Sequence, residues 1–139
     1  MINRTAPTSN ENIGVSLVDG DATIRHGRQI MLRSERYDVR SYATCAALLA
    51  DPQSRASQCI VVDIDMKEGN GIALLREMRA TGWLGKAILL DGITPASPLI
   101  SAAERQGDRV LERTIADGPL IAAIAAVVDG GRVVSCADG

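Results

Sequence analysis

Histidine is almost absent from this 139-residue chain and cysteine is scarce. His26 stands alone inside a helical pattern, which excludes a histidine-rich metal site. Cys45, Cys59 and Cys136 are an odd set without C-x-x-C spacing. They form neither a disulfide framework nor a zinc site and fit incidental thiols of a reducing cytosol. Long apolar runs are missing too. The longest, Pro119 to Val128, is about ten residues, where a bilayer span needs roughly twenty. Met1 to Asn12 is polar and lacks the apolar segment of a secretory signal. A net charge of −2 gives no global basic field to draw nucleic acid or anionic lipid. A cytoplasmic protein with no membrane partner is expected.

What is present suffices for one soluble domain: 46% apolar and 23% charged residues. Residues 1–12 read as a flexible lead, 13–128 as a domain, and 129–139 as a linker-like tail that begins at a Gly130-Gly131 helix stop. Within the domain, apolar stretches alternate with helical patterns. Strands are expected over Ile13–Val18, Tyr37–Tyr42, Cys59–Asp63, Ala87–Asp91 and Arg109–Glu112. Helices are expected over Ala22–Arg36, Ala43–Ala50, Ile72–Ala80, Pro98–Arg105 and Ile115–Val128. Cys59 to Val62 is apolar without alternation, as a strand buried on both faces requires. The order is βα repeated five times. It predicts an α/β fold, a doubly wound parallel five-stranded sheet with helices on both faces.

Three of these strands end in carboxylates: Asp19 with Asp21 close by, Asp63, and Asp91. Ligands of open α/β sheets bind beyond the carboxyl ends of the strands, where the strand order switches. If the first, third and fourth strands are neighbours, these acids converge on one pocket. Carboxylates held together near neutral pH call for a cation, and an oxygen-only cluster suits Mg²⁺. A metal beside a nucleophilic carboxylate is what phosphorylation of an aspartate needs. Asp19, Asp21, Asp63 and Asp65 are the candidate ligands, with Asp63 as candidate phosphoacceptor.

Over roughly residues 13–128 the sequence resembles the CheY-like, flavodoxin-like receiver domains of two-component response regulators. The stretch Val61-Val-Asp-Ile-Asp-Met-Lys-Glu-Gly-Asn-Gly71 carries most of the resemblance. Asp63, Met66 and Gly71 fill the family's places for the phosphoacceptor, the Met after it and the Gly beyond. Leu17-Val-Asp-Gly-Asp21 resembles the acidic stretch after the first strand. The family's pattern is broken elsewhere. Gly20 stands where a second adjacent acid is usual, and Lys67 where Pro follows the Met. Asp91 replaces the Thr or Ser whose hydroxyl binds the phosphoryl group. An ionised carboxylate cannot donate that bond and repels phosphate. Arg113-Thr114 replaces Lys-Pro. Arginine keeps the charge on a longer, planar head and is able to pair with Asp63 or Asp91. Val110 replaces the aromatic switch residue.

The resemblance therefore implies an atypical receiver in two-component signal transduction, regulating transcription, with Asp63 as candidate phosphoacceptor and a degenerate phosphoryl-binding site. The alternative is a phosphorylation-independent pseudo-receiver that acts as a protein–protein interaction or dimerisation module. Its implied partners are a histidine kinase or phosphotransfer protein, and a second copy through the last helix. Leu120 to Ser135 is similar to the last receiver helix and linker of NarL/FixJ-type transcriptional regulators, so DNA contact is expected only through a C-terminal domain outside this chain. A flavodoxin-like nucleotide or flavin binder is disfavoured, because the loop after the first strand is acidic rather than a Gly/Ser/Thr phosphate cradle. A turnover enzyme is not expected, for want of a base–nucleophile pair. Trp83 is expected to pack at a helix end. Arg25, Arg28, Arg33 and Arg36 read as a solvated helix face.

Overall fold

The structure is a computed structural model. It describes residues 13–66, 69–92 and 104–137, with side chains as far as Asp129 in the last helix. Strands β1 (Gly14–Val18), β2 (Asp38–Tyr42), β3 (Cys59–Asp63), β6 (Lys86–Asp91) and β7 (Arg109–Glu112) form one sheet in the order β2-β1-β3-β6-β7. Every neighbouring pair is parallel. Short strands β4 (Asp65–Met66) and β5 (Gly69–Asn70) pair antiparallel just beyond β3. Helices α1 (Ala22–Ser34), α2 (Cys45–Ala50) and α3 (Gly71–Ala80) lie in crossovers between strands and α4 (Asp117–Ala137) follows β7, with a 3-10 turn over Pro52–Ala56 that the sequence pattern did not announce. The expected doubly wound sheet is the observed one. The helix expected over Pro98–Arg105 lies largely outside the described residues, with Glu104 and Arg105 helical.

The sheet divides two cores. Strand residues alternate between them, as a period of two dictates. Val15, Leu17, Val39, Cys59, Val61, Ile88 and Leu90 pack with Leu32 of α1 and Leu120, Ile124 and Val127 of α4. Val18, Ile60, Val62, Ala87 and Leu89 pack with Leu48 of α2 and Leu74, Leu75 and Met78 of α3. All of Cys59–Val62 is fully buried, which is why β3 shows no polar alternation. Among the described residues no helix is long and apolar enough to cross a membrane.

Local chemistry sets the helix ends. α1 stops at Ser34, two residues before the expected boundary. Arg36 takes a left-handed conformation (φ +73°), and the Arg36 and Tyr37 amides donate to the carbonyls of Arg33 and Leu32. This is a Schellman stop, with Tyr37 and Leu32 buried in the same core. α4 does not end at Val128: it runs through Gly130-Gly131 to Ala137. A glycine pair weakens a helix by about 1 kcal/mol per residue relative to alanine without obliging it to stop.

At the amino-terminal edge of the sheet a buried polar cluster ties α3 to β6 and β7. The Asp108 side chain, 1% exposed, receives Arg79 Nη1 and Nη2 at 2.9 and 2.8 Å and the Ala87 amide at 2.8 Å. Arg79 also lies over the Trp83 ring, 5.4 Å from its centroid. The Trp83 indole donates to the Ser57 carbonyl at 2.8 Å. Trp83 thus packs just past the end of α3, as expected.

Candidate functional site

The candidate pocket lies at the carboxyl ends of β1, β3, β6 and β7. Val18 is in register with Val62, so Asp19 and Asp63 leave neighbouring strands side by side. Asp91 ends β6 in register with Glu112, the last residue of β7, and Arg113 follows at once. The parallel order alone brings Asp19, Asp63, Asp91 and Arg113 to one edge.

Asp63 is claimed by Arg113. Its carboxylate accepts from Nε at 2.9 Å (Oδ1) and 2.7 Å (Oδ2), and from Nη2 at 2.5 Å (Oδ1). Both oxygens are engaged by one planar fork, the geometry in which arginine differs most from lysine. The Arg113 backbone amide donates to the Asp91 carbonyl at 2.9 Å, which fixes where the side chain starts. Hydrogen bonding to Asp63 holds the Arg113 guanidinium above its ordinary pKa; partial burial opposes this, and the charges of Asp63, Asp65 and Asp91 add to it. The guanidinium lies against Gly92: a Cβ there would collide with Nη1 and Cζ of Arg113.

Asp19 has its own arginine. Arg28 Nη1 stands 3.5 Å from Asp19 Oδ2, with both side chains mostly buried at 11% and 15% exposure. Arg28 Nη2 donates to the Arg113 carbonyl at 3.1 Å, so one guanidinium spans both halves of the pocket. Arg25 Nη1 donates to the Asp19 carbonyl at 2.6 Å. The reading of these helix arginines as a solvated face therefore fails for Arg25 and Arg28. Helical periodicity puts a residue on a face, but only the tertiary fold decides that this part of the face looks over the ends of the strands. The arginines' spacing beside an acidic strand end was the available signal.

Asp21 is occupied differently. It is the N-cap of α1, and its Oδ1 accepts from the Thr23 and Ile24 amides at 2.9 and 3.1 Å. Its own amide donates to Asp19 Oδ1 at 2.9 Å. Asp65 is exposed on the β4–β5 ribbon. Val110 is half-buried, packed on the α2–α3 core rather than in the pocket. Gly71 opens α3 behind Asn70, whose side chain caps the helix by accepting from the Ala73 amide at 2.7 Å. A Cβ on Gly71 would lie 2.7 Å from the Asp63 carbonyl, so glycine lets α3 begin against the end of β3.

Receiver domains as a family use Mg²⁺ for phosphorylation. The donors here do not fit a divalent cation as they stand. Asp63 is forked by Arg113, Asp19 is paired with Arg28, and Asp21 is turned onto its helix. Among the described residues no three acidic, histidine or cysteine side chains come together to hold a metal ion.

Comparison with known proteins agrees with this frame. The profile of the response regulator receiver domain matches residues 15–125, and the chain belongs to that family of two-component signalling modules. It is 28% identical over 116 residues to the transcriptional regulatory protein FixJ of Azorhizobium caulinodans. The match takes in 84% of this chain and 55% of that protein, so the chain spans about half the length of this curated relative. Among solved structures, the FixJ-N crystal structure superposes with a TM-score of 0.70 at 24% identity, covering 84% of this chain and 94% of that one. A CheY-like receiver domain protein from Methanospirillum hungatei JF-1 gives 0.70 at 21% identity, with 85% and 94% covered.

Proposed function

We propose that this chain is a receiver domain that signals without phosphoryl transfer: a pseudo-receiver, serving as an interaction module within a cytoplasmic transcriptional regulator. The observation that carries this reading is the Arg113 fork on both oxygens of Asp63. An attacking carboxylate needs a free oxygen and a pocket that welcomes phosphate. Here the fork holds the carboxylate, and Asp91 offers a negative charge where a hydroxyl would receive the phosphoryl group. Arg113 follows β7 and precedes α4, so the same contact fixes the junction between these two elements in one arrangement. A partner reading the β7–α4 side meets a constant surface. The similarity to FixJ, a transcriptional regulatory protein, supports a role in transcription, with DNA contacted by another part of the regulator.

The position of Asp63 favours a second reading. It ends a central strand with 15% of its side chain exposed, where a phosphoacceptor would stand, and a histidine kinase or phosphotransfer protein would then be the donor. Amide NMR spectra of the chain with Mg²⁺ alone, then with Mg²⁺ and beryllofluoride, separate the two. Unchanged spectra, and no mass gain with acetyl phosphate, are expected. Shifts spreading from Asp63 to Asp91 and Val110 would replace the first reading with the second. Arg113→Lys combined with Asp91→Thr and Gly20→Asp should restore the beryllofluoride response.

A further inference from the structure

The mismatch between the pocket and a metal ion has a physical cause. Asp19 follows β1 while Asp63 and Asp91 end the adjoining β3 and β6, and like charges along one sheet edge need compensation. Two guanidiniums, Arg113 on Asp63 and Arg28 on Asp19, bring positive charge to the same edge and are joined by the Arg28–Arg113 carbonyl bond. They come from different elements, Arg28 from α1 and Arg113 from the residue after β7, and the Arg113 carbonyl is what Arg28 holds.

We propose that Arg113 and Arg28 are the resident cations of this receiver, standing in for the divalent metal, and that Gly92 is the positioning residue that seats Arg113. The inference rests on the phosphate-independent reading and deepens it: two fixed guanidiniums already hold Asp63 and Asp19, so the domain is indifferent to Mg²⁺. Gly92 matters because the guanidinium crosses the place its side chain would occupy. The obstructed atoms are the far end of a flexible side chain. A methyl group at position 92 should therefore push Arg113 off Asp63 while leaving the sheet intact. The acids remain, so a chain stripped of its guanidinium should acquire affinity for a divalent cation that it otherwise lacks.

The probe is Mn²⁺ alone, read by paramagnetic broadening of amide resonances around Asp19 and Asp63, with Mg²⁺ as competitor. The wild-type chain should show no broadening centred there at concentrations where Arg113→Gln is saturated. A gain of at least about tenfold in affinity is expected, because a full positive charge in contact with Asp63 is removed. Gly92→Ala keeps every charge and should fall between the two. Arg28→Gln should also gain affinity, with the broadening displaced toward Asp19. Equal binding by wild type and Arg113→Gln would overturn the proposal, and so would absence of binding in all variants. Gly92→Ala behaving as wild type would overturn the seating role. The two experiments separate the readings. Wild-type affinity for Mn²⁺ without a beryllofluoride response defeats this inference and leaves the functional reading standing, whereas a wild-type response to Mg²⁺ with beryllofluoride defeats both.

Discussion

Replacing Arg79 by methionine is the most demanding test of the packing that carries the pocket. The change removes a guanidinium from a carboxylate that is 1% exposed, while the Arg79 side chain is itself only 26% exposed. Asp108 keeps the Ala87 amide and loses two charge-assisted bonds at 2.9 and 2.8 Å. Leaving a buried carboxylate without its cation costs about 3–5 kcal/mol in comparable pairs. The stack on Trp83 adds about 0.5–1 kcal/mol, and methionine recovers part of the lost packing. A net loss of about 3 kcal/mol is expected. With urea slopes of about 1–3 kcal/mol per molar for small domains, the unfolding midpoint should fall by at least about 1 M. Arg79→Met with Asp108→Asn removes both charges and keeps an acceptor for the Ala87 amide. That double variant should be more stable than Arg79→Met alone, by about 1–2 kcal/mol. The reasoning is refuted if Arg79→Met costs under about 1 kcal/mol, or if the two substitutions simply add. Either result would mean that water already solvates Asp108.

Three further outcomes follow from single positions. Arg36→Gly should stabilise the domain by about 0.5 kcal/mol in urea melts, since relief of the left-handed backbone (φ +73°) outweighs the added freedom of the unfolded chain; a loss would show that the Arg36 side chain matters more than its backbone. Gly71→Ala should cost about 1–2 kcal/mol and shift the amide resonances of Val62, Asp63 and Leu89, because its Cβ meets the Asp63 carbonyl, which is backbone and yields little; a neutral effect would mean that α3 slides freely on β3. Burial, with the charge of Asp108 second, pushes the Cys59 thiol from its ordinary 9.0 up to about 12. A raised folded pKa contributes stability that is whole below pH 9 and lost as pH climbs toward 12. In a Cys136→Ser chain, Cys59 should therefore resist alkylation at pH 8 until the protein unfolds, and midpoints should fall only above pH 9; rapid labelling of the native chain at Cys59, told from Cys45 by peptide mass mapping, would contradict the burial.

Much of the fold is written locally. A four-residue apolar run such as Cys59–Val62 has no polar face, so it forms a strand only inside a sheet covered on both sides, and alternation with helical periods then forces parallel crossovers. The Asp63 stretch was legible for the same reason: an acid at a buried strand's end, a turn, and a glycine where α3 must touch the strand. Asp21 was legible in principle as a helix cap, two residues before Thr23, yet its place in an acidic stretch drew it toward the metal set. The extension of α4 beyond Val128 was not legible, because Gly130-Gly131 permits a stop without compelling one.

By itself, then, the sequence determined the strand order's raw material, the two apolar faces of the sheet and the acids at its carboxyl edge. These depend on spacings of two to four residues, which the chain carries locally. The choice between Asp63 and Asp91 as the partner of Arg113, the inward reach of Arg28 and the buried Arg79–Asp108 pair were decided only by tertiary structure. Each joins residues far apart in the chain through long, flexible side chains. Which carboxylate such a side chain finds depends on the register of the parallel strands and on the space left at Gly92, and neither is encoded at the arginine itself.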